Sequence, residues 1–196
     1  MIKEGKLIVI SGPSGVGKST VCAELLRKPG FARVVTCTTR PPRPGETPGH
    51  HYHYLTRNDF EDGIARGNFL EYALVHGNLY GTPKDAVQKQ LLEGSNVLLS
   101  IDVKGAAQLR ALPDLAGCLM TIFLLPPSDA ILKKRLTGRA TEDSAKLAAR
   151  LETARQEILE KDKYDHVVVN EDLERTVEEV FACVTTHSKN PLKPTT

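Results

Sequence analysis

Gly12-Pro13-Ser14-Gly15-Val16-Gly17-Lys18-Ser19 is the stretch that decides the fold of this chain. It fits a pattern that cradles nucleotide phosphates: a glycine, four residues, a second glycine, a lysine, and a serine or threonine. A short apolar run at 6–10 precedes it, and the apolar residues of the segment 20–26 that follows recur at helical spacing. The pattern therefore predicts a strand, a phosphate-binding loop and a helix in succession.

The glycines of this loop can adopt positive φ angles, which lets successive backbone N–H groups turn inward at the start of a helix. Such a nest attracts phosphate. Lys18 would then neutralise charge on the β- and γ-phosphates of a nucleotide, and the hydroxyl of Ser19 would bind Mg²⁺. The alternative is a glycine-rich turn with an exposed lysine. By itself the loop could also belong to a motor, a GTPase or a transporter ATPase.

Composition limits the classes of protein to which the chain can belong. Its 196 residues suffice for one well-buried core but are few for two, which predicts a single domain with insertions. The formal net charge is +2 and no run of five like charges occurs, so no nucleic-acid or membrane partner is expected. The four cysteines form no Cys-x-x-Cys pair, which indicates free thiols in a reducing compartment. All apolar runs are far shorter than the about 20 residues that span a bilayer, which predicts a cytoplasmic protein.

Strand-like and helical segments alternate along most of the chain. The strand-like runs lie at 7–10, 33–36, 97–101, 119–125 and 166–169, and the segments between them show helical spacing or capping residues. This alternation predicts a parallel sheet covered by helices on both faces. The last helix would follow an Asp172 cap and bury one stripe, made of Leu173, Val177, Val180, Phe181 and Val184.

Two segments depart from the alternation. The first, about 36–90, has extended pieces near 51–55, 69–75 and 78–81, a helix after Thr56 and another opening at 82–85, which indicates an insertion. The second, 137–142, is polar and predicts an arginine-bearing flap. The helix that follows the flap would share one face among Leu147, Leu151, Ala154 and Ile158.

The start of the insertion is suited to a second phosphate. It places Arg40, Arg43 and Tyr52 on a proline-stiffened loop, and arginine forks and tyrosine hydroxyls can hold a phosphate monoester. A solvated basic loop is the alternative. His50, His51 and His53 lie in the same loop, but their spacing matches no common zinc pattern.

Glu71 is the one carboxylate on the two extended pieces near 69–75 and 78–81. A carboxylate can accept from two parallel N–H donors, and the N1–H and exocyclic amino group of guanine present such a pair, whereas adenine does not. The alternative is an ordinary exposed strand residue.

These motifs, with several shorter ones, occur in the order of the guanylate kinase family, which the chain closely resembles over nearly its whole length. The shared motifs are the phosphate loop at 12–19; Thr-Thr-Arg-x-x-Arg-x-Gly-Glu-x-x-Gly-x-x-Tyr over 38–52; Glu71; Gly77-Asn78-x-Tyr80-Gly81-Thr82; Asp102 with Gly105-Ala106; Pro127-Ser128; Arg139-x-Thr141-Glu142; Arg150; and Val169-Asn170-x-Asp172-Leu173. The resemblance implies transfer of the γ-phosphoryl group of ATP to GMP with Mg²⁺ as cofactor.

The same resemblance implies an architecture. The α/β fold would be the three-layer P-loop NTPase fold, with a parallel sheet, an inserted mixed α/β segment that binds GMP, and a small helical lid. The single domain would span 1–196, as a monomer or homo-oligomer. Its parts would be a core of about 1–35, 95–137 and 157–189, a GMP-binding segment of about 36–90, a lid of about 138–156 and a disordered tail of about 190–196.

Roles for individual residues also follow from the resemblance. The GMP phosphate would be held by Arg40, Arg43, Tyr52 and Tyr80, and the guanine edge read or supported by Thr36, Glu71, Thr82 and Asp102. Lys18, Arg43, Arg139 and Arg150 would be the catalytic cations. ATP would contact Gly12, Pro13, Ser14, Gly15, Val16, Gly17, Lys18, Ser19, Thr20 and Asn170, with Ser19 holding Mg²⁺.

The chain departs from the family pattern at three positions. Thr36 replaces a serine and keeps its hydroxyl, and Ala140 replaces a glycine next to the lid arginine. Ser100 replaces an acidic residue that could help to order Mg²⁺.

Two other functions remain open. One is a non-enzymatic scaffold module, which the retained Lys18 disfavours. The other is a kinase for another phosphate monoester, which Glu71 disfavours.

Overall fold

The computed structural model of the protein describes residues 5–75, 77–137 and 144–186. Single 3-10 turns occupy Pro113–Leu115 and Lys161–Lys163. In chain order the strands and helices are β1 (Leu7–Ser11), α1 (Lys18–Leu25), β2 (Phe31–Arg33), β3 (Cys37–Thr38), β4 (His53–Tyr54), α2 (Arg57–Ala65), β5 (Phe69–Val75), β6 (Asn78–Pro83), α3 (Lys84–Leu92), β7 (Asn96–Ser100), α4 (Val103–Arg110), β8 (Leu119–Leu125), α5 (Asp129–Thr137), α6 (Ser144–Ile158), β9 (His166–Val169) and α7 (Leu173–Thr186).

A five-stranded parallel sheet in the order β2-β7-β1-β8-β9 forms the centre of the fold. Side chains alternate across β1, so that Ile8 and Ile10 join one apolar cluster with α1 and α7. Leu7 and Val9 join a second cluster, on the opposite face, with α3 and α4. The predicted three-layer α/β architecture is therefore confirmed.

The insertion forms a second, four-stranded sheet in the order β4-β3-β6-β5. In this sheet β3 and β4 are parallel, whereas the other pairs are antiparallel. The helix α2 begins after Thr56, whose side chain accepts from the backbone N–H of Asp59. Phe60 of α2 stacks on Phe69 of β5, with ring centroids 4.3 Å apart. The inserted mixed α/β segment therefore has its own small core.

Three sequence-based expectations need correction. The second core strand is Phe31–Arg33 and not 33–36, because from Cys37 onward the chain pairs with the second sheet. The helix expected to open at Thr82 begins at Lys84 instead, because Thr82 is still part of β6. On α7, Leu173 is 36% exposed and Thr176 is buried in its place, although Asp172 caps the helix as predicted through the backbone N–H of Arg175.

The helix α6 packs on two parts of the molecule. Leu147, Leu151 and Ala154 contact the cluster formed by Leu132 and Leu136 of α5. Ile158, predicted on the same face, instead packs against the core cluster beneath α4. Arg139, Ala140 and the polar flap around them lie outside the described residues, as does the predicted tail at 190–196.

None of the helices within the described ranges is both long and apolar enough to cross a membrane. All four cysteines lie within the described residues, and none of them forms a disulfide.

Candidate active site

The phosphate loop connects β1 to α1 at the carboxyl edge of the central sheet. Gly12 and Gly17 have φ angles of 138° and 106°, a region that side chains rarely adopt. A Cβ on Gly12 would lie 2.4 Å from the carbonyl oxygen of Leu124, and one on Gly17 would lie 2.4 Å from Nδ2 of Asn170. The predicted glycine nest is confirmed, and its neighbours leave no room for side chains at these positions.

Two side chains, the buried Asn170 and the half-buried Arg135, hydrogen-bond to the backbone of the loop. Nδ2 of Asn170 donates to the carbonyl oxygen of Val16 at 2.7 Å. Arg135 of α5 donates to the same carbonyl oxygen and to that of Asn170, both at 3.1 Å. Arg135 therefore ties α5 to the loop. The amide of Asn170 likewise supports the loop backbone.

Lys18 and a carboxylate of α6 meet at this loop. Nζ of Lys18 donates to the carbonyl oxygens of Gly12 and Pro13. The backbone N–H of Ser14 donates to Glu157 of α6, which lies close enough to Lys18 to be stabilised by its charge. Burial nevertheless raises the pKa of Glu157. No sequence pattern singles out Glu157, because its approach depends on how α6 docks.

Arg150 and Glu157 lie on the same side of α6, since seven residues amount to about two helical turns. The helix that brings Glu157 to the phosphate loop therefore also carries the predicted catalytic Arg150. Arg139, the other predicted lid cation, falls outside the described residues.

A cavity of about 260 Å³ joins the phosphate loop to the insertion. Ser19, Thr36, Tyr52 and Ser100 all line it. Cys22 also faces it and is hydrogen-bonded to Ser100, and burial raises the pKa of the Cys22 thiol to about 12. This thiol is therefore neutral at physiological pH and is not a nucleophile.

A second hollow, of about 520 Å³, lies beside β9 and α7. Its lining includes the carboxylates of Glu171, Asp172 and Glu179, which disfavour a phosphate there. The cavity beside Ser19 is therefore the better place for anionic substrates.

Arg40 is fixed in place by Glu46. Two guanidinium nitrogens of Arg40 donate to the carboxylate oxygens of Glu46, at 2.7 and 2.9 Å. Glu46 also accepts from the hydroxyl of Tyr54 and from the backbone N–H of Arg43, both at 2.8 Å. The guanidinium of Arg40 holds the pKa of Glu46 well below its usual range. Glu46 is thus a functional residue that the sequence analysis missed, although it lies within the quoted loop motif.

Arg40 is 8% exposed, and its Nε is buried with no hydrogen-bond partner among the described residues. The ring of Tyr52 lies 5.2 Å from the guanidinium carbon, and the rings of Tyr52 and Tyr80 are 6.0 Å apart. Three of the four predicted phosphate-binding side chains are therefore together, next to an unused donor. The fourth, Arg43, is on the exposed part of the loop.

Glu71 is buried and not an ordinary exposed strand residue. Phe69 pairs with Pro83 and Glu71 with Thr82, so Leu70 forms a bulge and both Leu70 and Glu71 point inward. Glu71 is 5% exposed and accepts from the hydroxyl of Thr82 at 2.5 Å. Burial, and to a lesser extent the charge of Asp102, raises the pKa of Glu71 to about 7, although the Thr82 hydrogen bond lowers it. The structure therefore brings together three of the residues predicted to recognise the base.

Within residues 5–75, 77–137 and 144–186, no group of three or more His, Cys, Asp and Glu side chains could hold a metal ion. The side-chain oxygens that face the cavity beside the phosphate loop include the hydroxyls of Ser19 and Ser100.

Comparisons with known proteins agree with this geometry. The family model for guanylate kinase matches residues 4–187. The guanylate kinase of Symbiobacterium thermophilum is 44% identical over 183 residues, which cover 92% of this chain and 85% of that protein. The guanylate kinase of Clostridium tetani is also 44% identical over 183 residues, with 93% and 86% of the two chains covered.

A solved structure, the guanylate kinase of Anaplasma phagocytophilum, superposes with a TM-score of 0.79 at 31% identity, covering 96% of this chain and 88% of that one. A gluconokinase from Sinorhizobium meliloti, at 19% identity and a TM-score of 0.52, shares the fold alone. The phosphate loop, Arg40 and Glu71 all lie within the residues that the family model matches. The chain belongs to the guanylate kinase family.

Proposed function

We propose that this protein catalyses ATP-dependent phosphorylation of GMP, giving ADP and GDP, and so serves purine nucleotide metabolism. The observation that carries the proposal is the buried carboxylate of Glu71, in the same inserted sheet as the Arg40, Tyr52 and Tyr80 cluster. A base-reading carboxylate and a phosphate-binding cluster in one segment suit a purine nucleoside monophosphate. The cavity next to that segment reaches Ser19 of the phosphate loop, which suits a nucleotide donor.

The acceptor would bind with its phosphate at Arg40, Arg43, Tyr52 and Tyr80. The guanidinium of Arg40, oriented by Glu46, would contribute its positive charge to that phosphate. Ionised Glu71 would accept from N1–H and the amino group of guanine. Thr36, Thr82 and Asp102 would support this edge of the base.

The other substrate, ATP, would bind at residues 12–20, and Asn170 would hold this loop in shape. The attacking GMP phosphate oxygen is already anionic, so no general base is needed. Catalysis would depend on aligning the two phosphates and on the cations Lys18, Arg43, Arg139 and Arg150, which meet the charge of the transferring group. Closure of the lid would exclude water and limit hydrolysis of ATP.

Mg²⁺ is the expected cofactor, and the side chains at the cavity fit it. Hydroxyl and phosphate oxygens are hard ligands of the kind that Mg²⁺ prefers, and Ser19 is exposed beside the phosphate loop. When bound, Mg²⁺ would neutralise charge on the phosphates of ATP.

The setting of the enzyme is also part of the proposal. The net charge of +2 and the cysteines, none of which forms a disulfide, suit a cytoplasmic monomer or homo-oligomer with no nucleic-acid or membrane partner.

A coupled assay of ADP formation tests this function directly. The protein is supplied with ATP, Mg²⁺ and, in turn, GMP, AMP, CMP, UMP or no acceptor. We expect ADP formation with GMP only. Similar rates with GMP and AMP would contradict base recognition by Glu71, and no ADP with any acceptor would favour a binding module.

Two substitutions should separate acceptor binding from phosphoryl transfer. Glu71→Ala removes a carboxylate that accepts two hydrogen bonds from guanine, so KM for GMP should rise about 10- to 100-fold. Lys18→Ala removes a cation that acts on the transferring group, so kcat should fall about 100- to 1,000-fold with little change in GMP binding. Steady-state kinetics and calorimetric GMP titrations measure both effects. The roles assigned here are wrong if Lys18→Ala weakens GMP binding more than Glu71→Ala does.

The protonation of Glu71 should make stability depend on pH. Its pKa is raised from 4.5 to about 7 in the folded protein, so between these values the folded state binds more protons than the unfolded chain. The stability of the parent protein therefore falls as pH rises through this window. Glu71→Gln has no such loss, so its free energy of unfolding relative to the parent should increase by on the order of 1–3 kcal/mol from about pH 5 to about pH 8.

Urea denaturation at each pH measures this difference. Glu178→Gln, at an exposed position on α7, is the matched control and should show no comparable trend. A Glu71→Gln difference that stays constant with pH would contradict the raised pKa.

The serine at position 100 should weaken the organisation of Mg²⁺. Ser100 lines the same cavity as Ser19, so a carboxylate introduced there could bind a water or an open position of the ion. We expect Ser100→Asp to lower the Mg²⁺ concentration for half-maximal rate, and to tighten Mg²⁺ binding to the ADP complex in calorimetry. Ser100→Asn has nearly the same shape without the charge and should resemble the parent. An unchanged Mg²⁺ requirement and rate in Ser100→Asp would refute this role.

A further inference from the structure

Three consecutive residues of β5 contact α4, each in a different way. Leu70 packs into the apolar cluster that includes Ala106 and Leu109 of α4. The carboxylate of Glu71 lies against Gly105, and the backbone of Tyr72 is hydrogen-bonded to the side chain of Gln108. The strand that carries Glu71 is therefore attached to a helix of the core at its bulge.

Gly105 leaves room for the carboxylate of Glu71. A Cβ at position 105 would lie 2.7 Å from Oε2 of Glu71, closer than a carbon and an unbonded oxygen can approach. It would also lie 3.3 Å from Cδ1 of Ile101 and 3.5 Å from Oδ1 of Asp102. Glu71 cannot simply swing away, because the other oxygen of its carboxylate accepts from the buried hydroxyl of Thr82.

No local backbone requirement explains the glycine. The φ angle of Gly105 is outside the positive range, and its N–H is capped by Oδ1 of Asp102 at 2.8 Å, as in any well-capped helix. An alanine in a helix is ordinarily more stable than a glycine. The closest contact that a side chain at this position would make is with the carboxylate of Glu71.

Gln108 holds the edge of the same strand. Its Nε2 donates to the carbonyl oxygen of Tyr72 at 2.7 Å, and its Oε1 accepts from the N–H of Tyr72 at 3.1 Å. β5 is the edge strand of the second sheet, so this amide completes backbone groups that no neighbouring strand pairs. Gly105 and Gln108 are three residues apart on α4 and so lie on one face.

We propose that Gly105 and Gln108 are positioning residues for base recognition: Gly105 admits the carboxylate of Glu71 against the helix, and Gln108 fixes its strand. This inference rests on the proposed function, because it requires that Glu71 recognises guanine. It makes α4, a helix of the core, contribute to that specificity. A side chain at position 105 then acts on the acceptor base without touching it. The donor half of the site, around the phosphate loop, is unaffected.

Steady-state kinetics of Gly105→Ala with GMP, AMP and ATP test the proposal. We expect KM for GMP to rise about tenfold or more and the preference for GMP over AMP to fall by a similar factor, because the carboxylate is displaced. KM for ATP and kcat should stay within about twofold of the parent values, since the phosphate loop is untouched. Gly117→Ala, where a Cβ would meet nothing within 4 Å, is the matched control.

Thermal unfolding separates this role from a structural one. Gly105→Ala should keep a single cooperative unfolding transition while KM for GMP rises and base preference falls, which a merely structural glycine would not give. Gln108→Leu removes both hydrogen bonds to Tyr72 without crowding Glu71, and should raise KM for GMP about threefold. Gln88→Leu, at an exposed position on α3, is its control. If Gly105→Ala does not fold, Gln108→Leu decides the question.

Unchanged KM for GMP and unchanged base preference in the folded variants would overturn the inference. That result is distinct from failure of the proposed function, in which the parent protein itself would not phosphorylate GMP and the inference would fall with it.

Discussion

The phosphate loop keeps its shape because three neighbouring elements approach its backbone more closely than side chains would permit. The carbonyl oxygen of Leu124 lies next to Gly12, the amide of Asn170 next to Gly17, and the side chain of Leu136 next to Gly15. Asn170 and Arg135 also hydrogen-bond to the carbonyl oxygen of Val16. The loop is thus held by β8, α5 and the end of β9. A loop fixed in this way presents its N–H groups to phosphate without reorganising, which is the main requirement for electrostatic catalysis.

The acceptor half of the site is also held in a fixed geometry, here by the ion pair between Arg40 and Glu46. Glu46 accepts from two nitrogens of the Arg40 guanidinium, which lies near the rings of Tyr52 and Tyr54. Because the cation is already paired and oriented, little side-chain entropy is lost when a phosphate binds. Glu71, by contrast, is kept in a buried position that raises its pKa, so guanine would supply the donors that favour its ionised form.

Local features could be predicted because they depend on residues close together in the sequence. The glycine nest, the Thr56 cap of α2 and the Asp172 cap of α7 each involve a few neighbouring residues. The second core strand was placed too late because the apolar run continues after the chain has left that sheet. Leu173 was assigned to the core although it is exposed. Helical spacing identifies a stripe, but the docking of the helix decides where the buried stripe ends.

The sequence by itself determined the parallel three-layer fold, the phosphate loop and the identities of the side chains available for a second phosphate. These depend on backbone preferences and on apolar periodicity, which are properties of short segments. Only the tertiary structure decided the environment of each carboxylate. Glu71 is buried at a bulge, accepts a hydrogen bond from Thr82 and lies against Gly105, and Glu157 reaches the phosphate loop from α6. Burial and hydrogen bonding set the protonation of a carboxylate, and here both come from residues distant in the chain, so no local pattern could have revealed them.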